Sequence, residues 1–241
     1  MALSSRRPDW LTDRPFAHRG LHGGGRSENG MAAFDAAIAA GLGIECDVRA
    51  SRDGVAFVFH DAALARMVGR PDRVAMLDAA TLDAARLPDG GAIPRLSALL
   101  AHCNGQVPLL VEIKADDRHV APVCAAVARD LDPWPDAPVA VMSFNPYAVR
   151  WFARQRPRQL RGLVVTQQGK GRWRGAIERA LALWRAKPDF VACDIRDLPT
   201  RFSTRARAAG LPVLSWTVRS QDERARAAAH ADQIIFEVAR G

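Results

Sequence analysis

Lysine, tyrosine and cysteine are scarce in this chain, and long apolar runs are absent. Its 241 residues include one tyrosine, four cysteines and only three lysines, Lys114, Lys170 and Lys187. Cys46, Cys103, Cys124 and Cys193 are scattered with no C-x-x-C pair. That pattern argues against a zinc site and against a disulfide framework. The cysteines read as small apolar residues of a reduced compartment. No stretch of roughly 18 apolar residues occurs, so no transmembrane helix is expected. The N-terminal segment lacks the apolar core of a secretory signal, which makes the cytoplasm the expected location. With so little lysine, arginine carries the net charge of +8 and the pI of about 10.3. A basic surface favours anionic substrates, acidic lipid headgroups or nucleic acid. Arginine excess beside abundant alanine is also the mark of coding bias, and no basic run resembles a nucleic-acid arm. Nucleic acid is therefore not an expected partner.

What is present is an alternation of β-branched apolar runs with alanine-rich helical stretches, the pattern of a parallel α/β fold. Eight core strands are predicted at 15–18, 43–48, 109–113, 139–143, 161–165, 190–194, 213–217 and 233–236. Eight repeats in a chain of this length favour one closed (β/α)8 TIM barrel over an open sheet. Helices are predicted at 96–102, 118–131, 146–154, 175–187, 200–209 and 221–230. A first helix carries the apolar stripe Met31, Phe34 and Ile38, capped by Ser27 or Asn29 and ended by Gly41. Residues 48 to about 95 form an insertion after the second strand, within a single domain spanning 1–241.

Four clusters sit at or just past predicted strands: His18-Arg19, Glu45-Cys46-Asp47, His60-Asp61 and Glu112-Ile113-Lys114. Residues i and i+2 of a strand share a face. Glu45 and Asp47 therefore point one way and Cys46 the other, and Glu112 shares a face with Lys114. Asp53-Gly54 is a strong two-residue hairpin signal. A tight turn there sets Asp47 directly opposite His60, with Cβ atoms roughly 5 Å apart. Carboxylates to hold a hard divalent ion, cations to hold phosphate and histidines to move protons suit attack on a phosphodiester.

These residues carry a resemblance. His18-Arg19-Gly20, Glu28-Asn29, Glu45-Cys46-Asp47-Val48, Asp53-Gly54, His60-Asp61, Ile93-Pro94-Arg95-Leu96, Glu112-Ile113-Lys114, Ser143-Phe144 and Trp216-Thr217-Val218 occur in order over most of the chain. The set resembles glycerophosphodiester phosphodiesterases, within the phosphatidylinositol-phosphodiesterase-like barrels. The resemblance implies metal-dependent hydrolysis of a glycerophosphodiester to sn-glycerol 3-phosphate and an alcohol. It implies that Glu45, Asp47 and Glu112 bind one divalent cation, Mg²⁺ or Ca²⁺, and that His18 and His60 are the acid/base pair. Arg19 and Lys114 would contact phosphate, Glu28 and Asn29 would support the pocket, and Phe144 and Trp216 would line it.

Four departures stand out. Ser27-Glu28-Asn29-Gly30 replaces the family's usual Pro-Glu-Asn-Thr. Arg219 replaces the Asn that usually follows Trp-Thr-Val. Phe236-Glu237 replaces a Thr-Asp followed by proline, and the family's usual final helix is not expected after it. The barrel face near residues 233–236 should then be covered by Trp10 and Leu11 or by a second subunit, as a homodimer. Lys170, Arg172, Trp173 and Arg174 form a basic segment suited to an anionic membrane surface. Alternatives to the leading reading are a lysophospholipase D acting on lysolipids, a metal-independent phosphatidylinositol phospholipase C, and a non-catalytic binder of anionic lipid or nucleic acid.

Overall fold

The computed structural model describes residues 8–169 and 171–238, of which 172–174 by their backbone alone. Helix α1 (Trp10–Asp13) precedes β1 (Phe16–His18). Helix α2 (Met31–Ala39) leads to β2 (Gly43–Ala50), and β3 (Ala56–Val58) folds back on it. Helices α3 (Ala65–Val68) and α4 (Ala79–Ala84) complete the insertion. Strands and helices then alternate: α5 (Leu96–Cys103), β4 (Leu109–Ile113), α6 (Ala121–Leu131), β5 (Val139–Ser143), α7 (Pro146–Gln155), β6 (Leu160–Val165), α8 (Arg172–Ala186), β7 (Phe190–Asp194), α9 (Arg201–Ala208), β8 (Val213–Val218), α10 (Gln221–His230) and β9 (Gln233–Phe236).

Eight strands pair in parallel, and β1 closes the sheet by pairing with both β2 and β9. The fold is thus the expected (β/α)8 barrel, with β3 added antiparallel to β2. All eight predicted strands are found. Their side chains alternate as the pleat requires. Ile44, Cys46, Val48, Val111 and Ile113 face outward into a core shared with the helices. Phe16, Leu110, Ala140, Phe190, Ala192, Leu214 and Ile235 fill the barrel interior. Two of these rings need space beside them. A Cβ at Gly43 would lie 2.5 Å from the Phe16 ring, and one at Gly162 would lie 2.3 Å from the Phe190 ring. Glycine at both positions lets large rings pack across the barrel.

The hairpin differs from expectation by one residue. Val48 pairs with Val58, Arg49 with Phe57 and Ala50 with Ala56. Asp47 therefore stands opposite Phe59, whose N–H donates to the Asp47 carbonyl at 2.9 Å. The cause is a three-residue turn in place of a two-residue one. Ser51 N donates to Val55 O at 2.9 Å, which leaves Arg52, Asp53 and Gly54 in the loop. Gly54 has φ of 80°, the left-handed position such loops require. The Ser51 hydroxyl locks the turn by accepting from Val55 N at 2.9 Å and donating to Asp53 at 2.6 Å. The slip also satisfies packing. Val58 and Ala56 join the main core, while Phe57 and Phe59 enter a satellite core with Leu64, Leu82 and Ile93. His60 thus leaves from its own packed platform.

Helix ends shift modestly. Helix α6 starts at Ala121, with proline in its first turn, and not at 118. Helix α2 is capped by Gly30, and neither Ser27 nor Asn29 caps it. Asn29 is occupied in the site below. The basic segment Lys170, Arg172, Trp173 and Arg174 lies outside the described residues, apart from the backbone of the last three.

Leu11 is 1% exposed and plugs the foot of the barrel against Phe16, Leu214 and Ile235. The Gln233 side chain donates to Thr12 O at 2.7 Å and ties the plug to β9. The outward face of β9 is covered differently from the expectation. Ile234 and Phe236 pack with Leu21, Leu42, Val218 and Ala227 of α10, and Arg224 lies 4.8 Å over the Phe236 ring. The N-terminal residues fill the barrel's base, and α10 covers its flank. Leu11→Ala should lower stability by about 2–5 kcal/mol, since the rigid barrel foot cannot collapse onto the cavity. Urea unfolding checks this; a loss below about 1 kcal/mol would mean that the plug contributes little.

Candidate active site

Two strands supply the floor of the site. The pleat turns Glu45 and Asp47 of β2 inward together, and β4, in register beside it, sets Glu112 opposite Asp47. All three are buried, and one oxygen from each lies within 4.8 Å of the others. Lys114, two residues past Glu112, lies 2.9 Å from Asp47 Oδ1 and pairs with Glu112 Oε1. Arg19 follows β1 with φ of 57°. That backbone lets its N–H donate to Glu45 Oε2 at 3.0 Å while its Nε lies 3.2 Å from Asp47 Oδ2. Asn29 clasps Asp47 twice. Its Nδ2 donates to Oδ2 at 2.9 Å, and its Oδ1 accepts from Asp47 N at 3.2 Å.

The electrostatics follow from that crowding. Burial, with Asp47 and Glu112 nearby, raises the Glu45 carboxyl well above the usual range. Burial also pushes Glu112 up to about 7, against the pull of Lys114. For Asp47 burial works in the same sense, yet Lys114 and Arg19 overcome it and hold the carboxyl low. Glu45 Oε1 is buried with no hydrogen-bond donor among the described residues. An orphaned carboxylate oxygen beside two more carboxylates is what a hard divalent cation satisfies. The donor set fits such an ion.

Each histidine is held by a carboxylate. His18 Nδ1 lies 2.6 Å from Glu237 Oε1, and His60 Nδ1 lies 2.7 Å from Asp61 Oδ1. Such partners fix the tautomer and leave Nε2 for proton exchange. Burial lowers the pKa of both rings. Arg219 donates to the other oxygen of Glu237 at 2.7 Å. Arg66 bonds Asp61 at 2.6 Å and Glu28 at 2.6 Å, while Glu28 accepts from Arg19 at 2.8 Å. A chain of ion pairs thus runs from Asp47 through Arg19, Glu28, Arg66 and Asp61 to His60.

A cavity of about 360 Å³ opens above this floor. His18, Arg19, Glu45, His60, Glu112, Lys114, Phe144 and Trp216 all line it. His60 reaches it from the segment after β3, without the cross-strand pairing to Asp47 that a tight hairpin would give. Glu28 and Asn29 are not among the lining residues; they act through Arg19 and Asp47. Phe144 and Trp216 meet edge to face at 5.2 Å, and the indole N–H donates to Ala192 O at 3.0 Å. Asp194, also lining, is paired to Arg196 at 2.6 Å.

A family model described as the Glycerophosphoryl diester phosphodiesterase family matches residues 18–236. The chain belongs to this family. A Mycobacterium tuberculosis protein named "Probable glycerophosphodiester phosphodiesterase 2" is 31% identical over 228 residues, covering 86% of this chain and 80% of that protein. A glycerophosphodiester phosphodiesterase structure from Agrobacterium tumefaciens is 25% identical, with a TM-score of 0.69 over 93% of this chain and 96% of that one. An Oleispira antarctica phosphodiesterase, solved with the product sn-glycerol-3-phosphate, shares the fold at a TM-score of 0.81 and 23% identity, over 94% of this chain and 93% of that one. The protein is accordingly a phosphodiester hydrolase of the glycerophosphodiester phosphodiesterase family.

Sequence reasoning named Glu237 only as a departure at the end of the last strand, gave neither it nor Asp61 a role of its own, and did not single out Arg66. A signal for Glu237 existed. In a closed barrel the first and last strands are neighbours, and Ala17 pairs with Phe236. The residues that follow each, His18 and Glu237, must then meet.

Glu237 is held down to about 2 from the ordinary 4.5; burial opposes the shift, and hydrogen bonds from His18 and Arg219 drive it. A carboxylate whose folded pKa is depressed stabilises the fold above its unfolded pKa and loses that contribution as pH falls through the folded value. The melting-temperature difference between the natural protein and Glu237→Gln should therefore be full above about pH 5 and shrink toward pH 2. A difference independent of pH over that window would refute the linkage.

Proposed function

We propose that the protein hydrolyses glycerophosphodiesters to sn-glycerol 3-phosphate and an alcohol, with one divalent cation, Mg²⁺ or Ca²⁺, held by Glu45, Asp47 and Glu112. The observation that carries this reading is the meeting of two carboxylate-held histidines on one cavity above a buried carboxylate cluster. When bound, the cation supplies charge that favours a phosphate oxygen and its developing negative charge.

The chain's own residues do the rest. Arg19 and Lys114 line the cavity beside the cluster and offset charge on the phosphate oxygens. One histidine accepts at Nε2 the proton of the nucleophile, which is water or the glycerol 2-hydroxyl. The other delivers a proton to the leaving alkoxide oxygen. Glu237 and Asp61 keep both rings in the tautomer this needs. Phe144 and Trp216 form an apolar wall against the glycerol or the alcohol.

The bare apolar edge of Phe144, 42% exposed at the rim, favours a second substrate for the same site, a lysolipid cleaved by a lysophospholipase D reaction.

Purified protein should release glycerol 3-phosphate from glycerophosphocholine or glycerophosphoethanolamine, lose that activity in EDTA, and regain it on addition of Mg²⁺ or Ca²⁺. No release from either compound, with lysolipids cleaved instead, would give the second reading the lead. Activity indifferent to EDTA would refute the metal assignment. His18→Ala and His60→Ala should each lower kcat by roughly 10²–10⁴-fold without loss of fold, read by turnover and circular dichroism. Near-normal turnover in either variant would remove that residue from the acid/base pair.

A further inference from the structure

We propose that the outer surface formed by α7, α8 and α9 docks on an anionic membrane, with α8 as the helix that lies in the interface. Six large apolar side chains are conspicuously exposed among the described residues, and three of them fall on α8. Ile177 is 60% exposed, Leu181 54% and Trp184 62%. Their spacing of four and three residues makes one stripe along the helix. The opposite side of α8 is already used. Ala186 is buried, and Ala182 and Leu183 pack onto the core with Val191 and Phe202. Arg179 lies 5.0 Å over the Phe202 ring of α9, and Arg185 lies 4.8 Å over the Tyr147 ring of α7. Helix α8 is therefore flanked on both sides and presents its apolar stripe to solvent.

Charge identifies the occupant. Residues 146–210 carry 15 of the chain's 34 basic residues and only 4 of its 26 acidic ones. The three helices together hold nine arginines and a single acid, Glu178. The segment that carries the apolar stripe is thus strongly basic, and the remainder of the chain has more acidic than basic residues. A second copy docking on this face would bring two arginine-rich surfaces together, which charge opposes. Anionic headgroups complement the arginines, and the acyl boundary takes Ile177, Leu181 and Trp184. No described helix is long and apolar enough to cross a membrane, so contact is with the surface. Helix α8 is 15 residues long, about 22 Å, and lies along the barrel side. It begins just past the C-terminal end of β6, at the rim where the cavity opens. Phe144 is exposed at the same rim, so docking sets this edge of the rim beside the bilayer surface.

The test is flotation of the full chain with vesicles of equal parts phosphatidylglycerol and phosphatidylcholine, against phosphatidylcholine alone. The protein should float with the anionic vesicles only, and less so in high salt. Leu181→Ser with Trp184→Ala, and separately Arg201→Ser with Arg205→Ser, should each weaken binding about tenfold or more, with unchanged melting temperature and unchanged turnover of a water-soluble diester. Absence of binding to anionic vesicles, or binding that both double variants retain, would overturn the proposal. So would a dimer seen by light scattering that Leu181→Ser with Trp184→Ala dissolves, since the stripe would then belong to a second copy.

Discussion

Three carboxylates of one sign, confined in the floor of a barrel, set the terms for everything around them. Buried like charges repel strongly and lose their hydration. The floor is tolerable because cations and donors face most of its oxygens. Asp47 has Lys114, Arg19 and both atoms of the Asn29 amide. Glu112 has Lys114, and Glu45 has the Arg19 backbone N–H. Glu45 Oε1 has no such partner among the described residues. The same cations that make the cluster bearable, Arg19 and Lys114, also line the cavity above it. Stability of the floor and the positive charge the cavity presents therefore draw on one set of side chains.

Barrel closure supplies the second ingredient. Pairing of β1 with β9 brings the two ends of the chain together, so a histidine at position 18 can be oriented by a glutamate at 237. His60 arrives by a different route, on an insertion with its own apolar core. The ion-pair chain through Arg66, Glu28 and Arg19 then ties that insertion to the barrel floor. The two histidines are thus set by independent parts of the fold, and ion pairs hold the part that carries His60 against the barrel floor.

The barrel was legible in the sequence because its strands obey a local rule. Continuous apolar runs of Val, Ile, Leu and Ala mark strands buried on both faces, and the faces of Glu45, Asp47, Glu112 and Lys114 follow from the pleat. The hairpin register was not legible in the same way. Asp53-Gly54 marks the turn correctly, but whether two or three residues form the loop depends on the Ser51 hydroxyl and on where Phe57 and Phe59 find burial. Partners distant in sequence were harder still. Nothing near position 237 marks it as the partner of His18, and only the topology of a closed barrel makes them adjacent. Asn29 shows the converse. Its type suggested a helix cap, and its amide is committed to Asp47.

The substituted rim has a physical consequence for the site. Glutamate at 237 is a longer carboxylate than the aspartate usual in the family, and Arg219 is longer than the usual asparagine. Here the two long side chains meet each other at 2.7 Å while the glutamate still reaches His18 at 2.6 Å. One exchange thus accommodates the other. The arginine's positive charge on Glu237 Oε2 restrains that carboxylate from drawing the proton fully from His18, and its guanidinium adds a cation to the cavity lining. Orientation of the His18 ring and the charge at this edge of the cavity are set by the same pair, so neither residue can be exchanged without changing both.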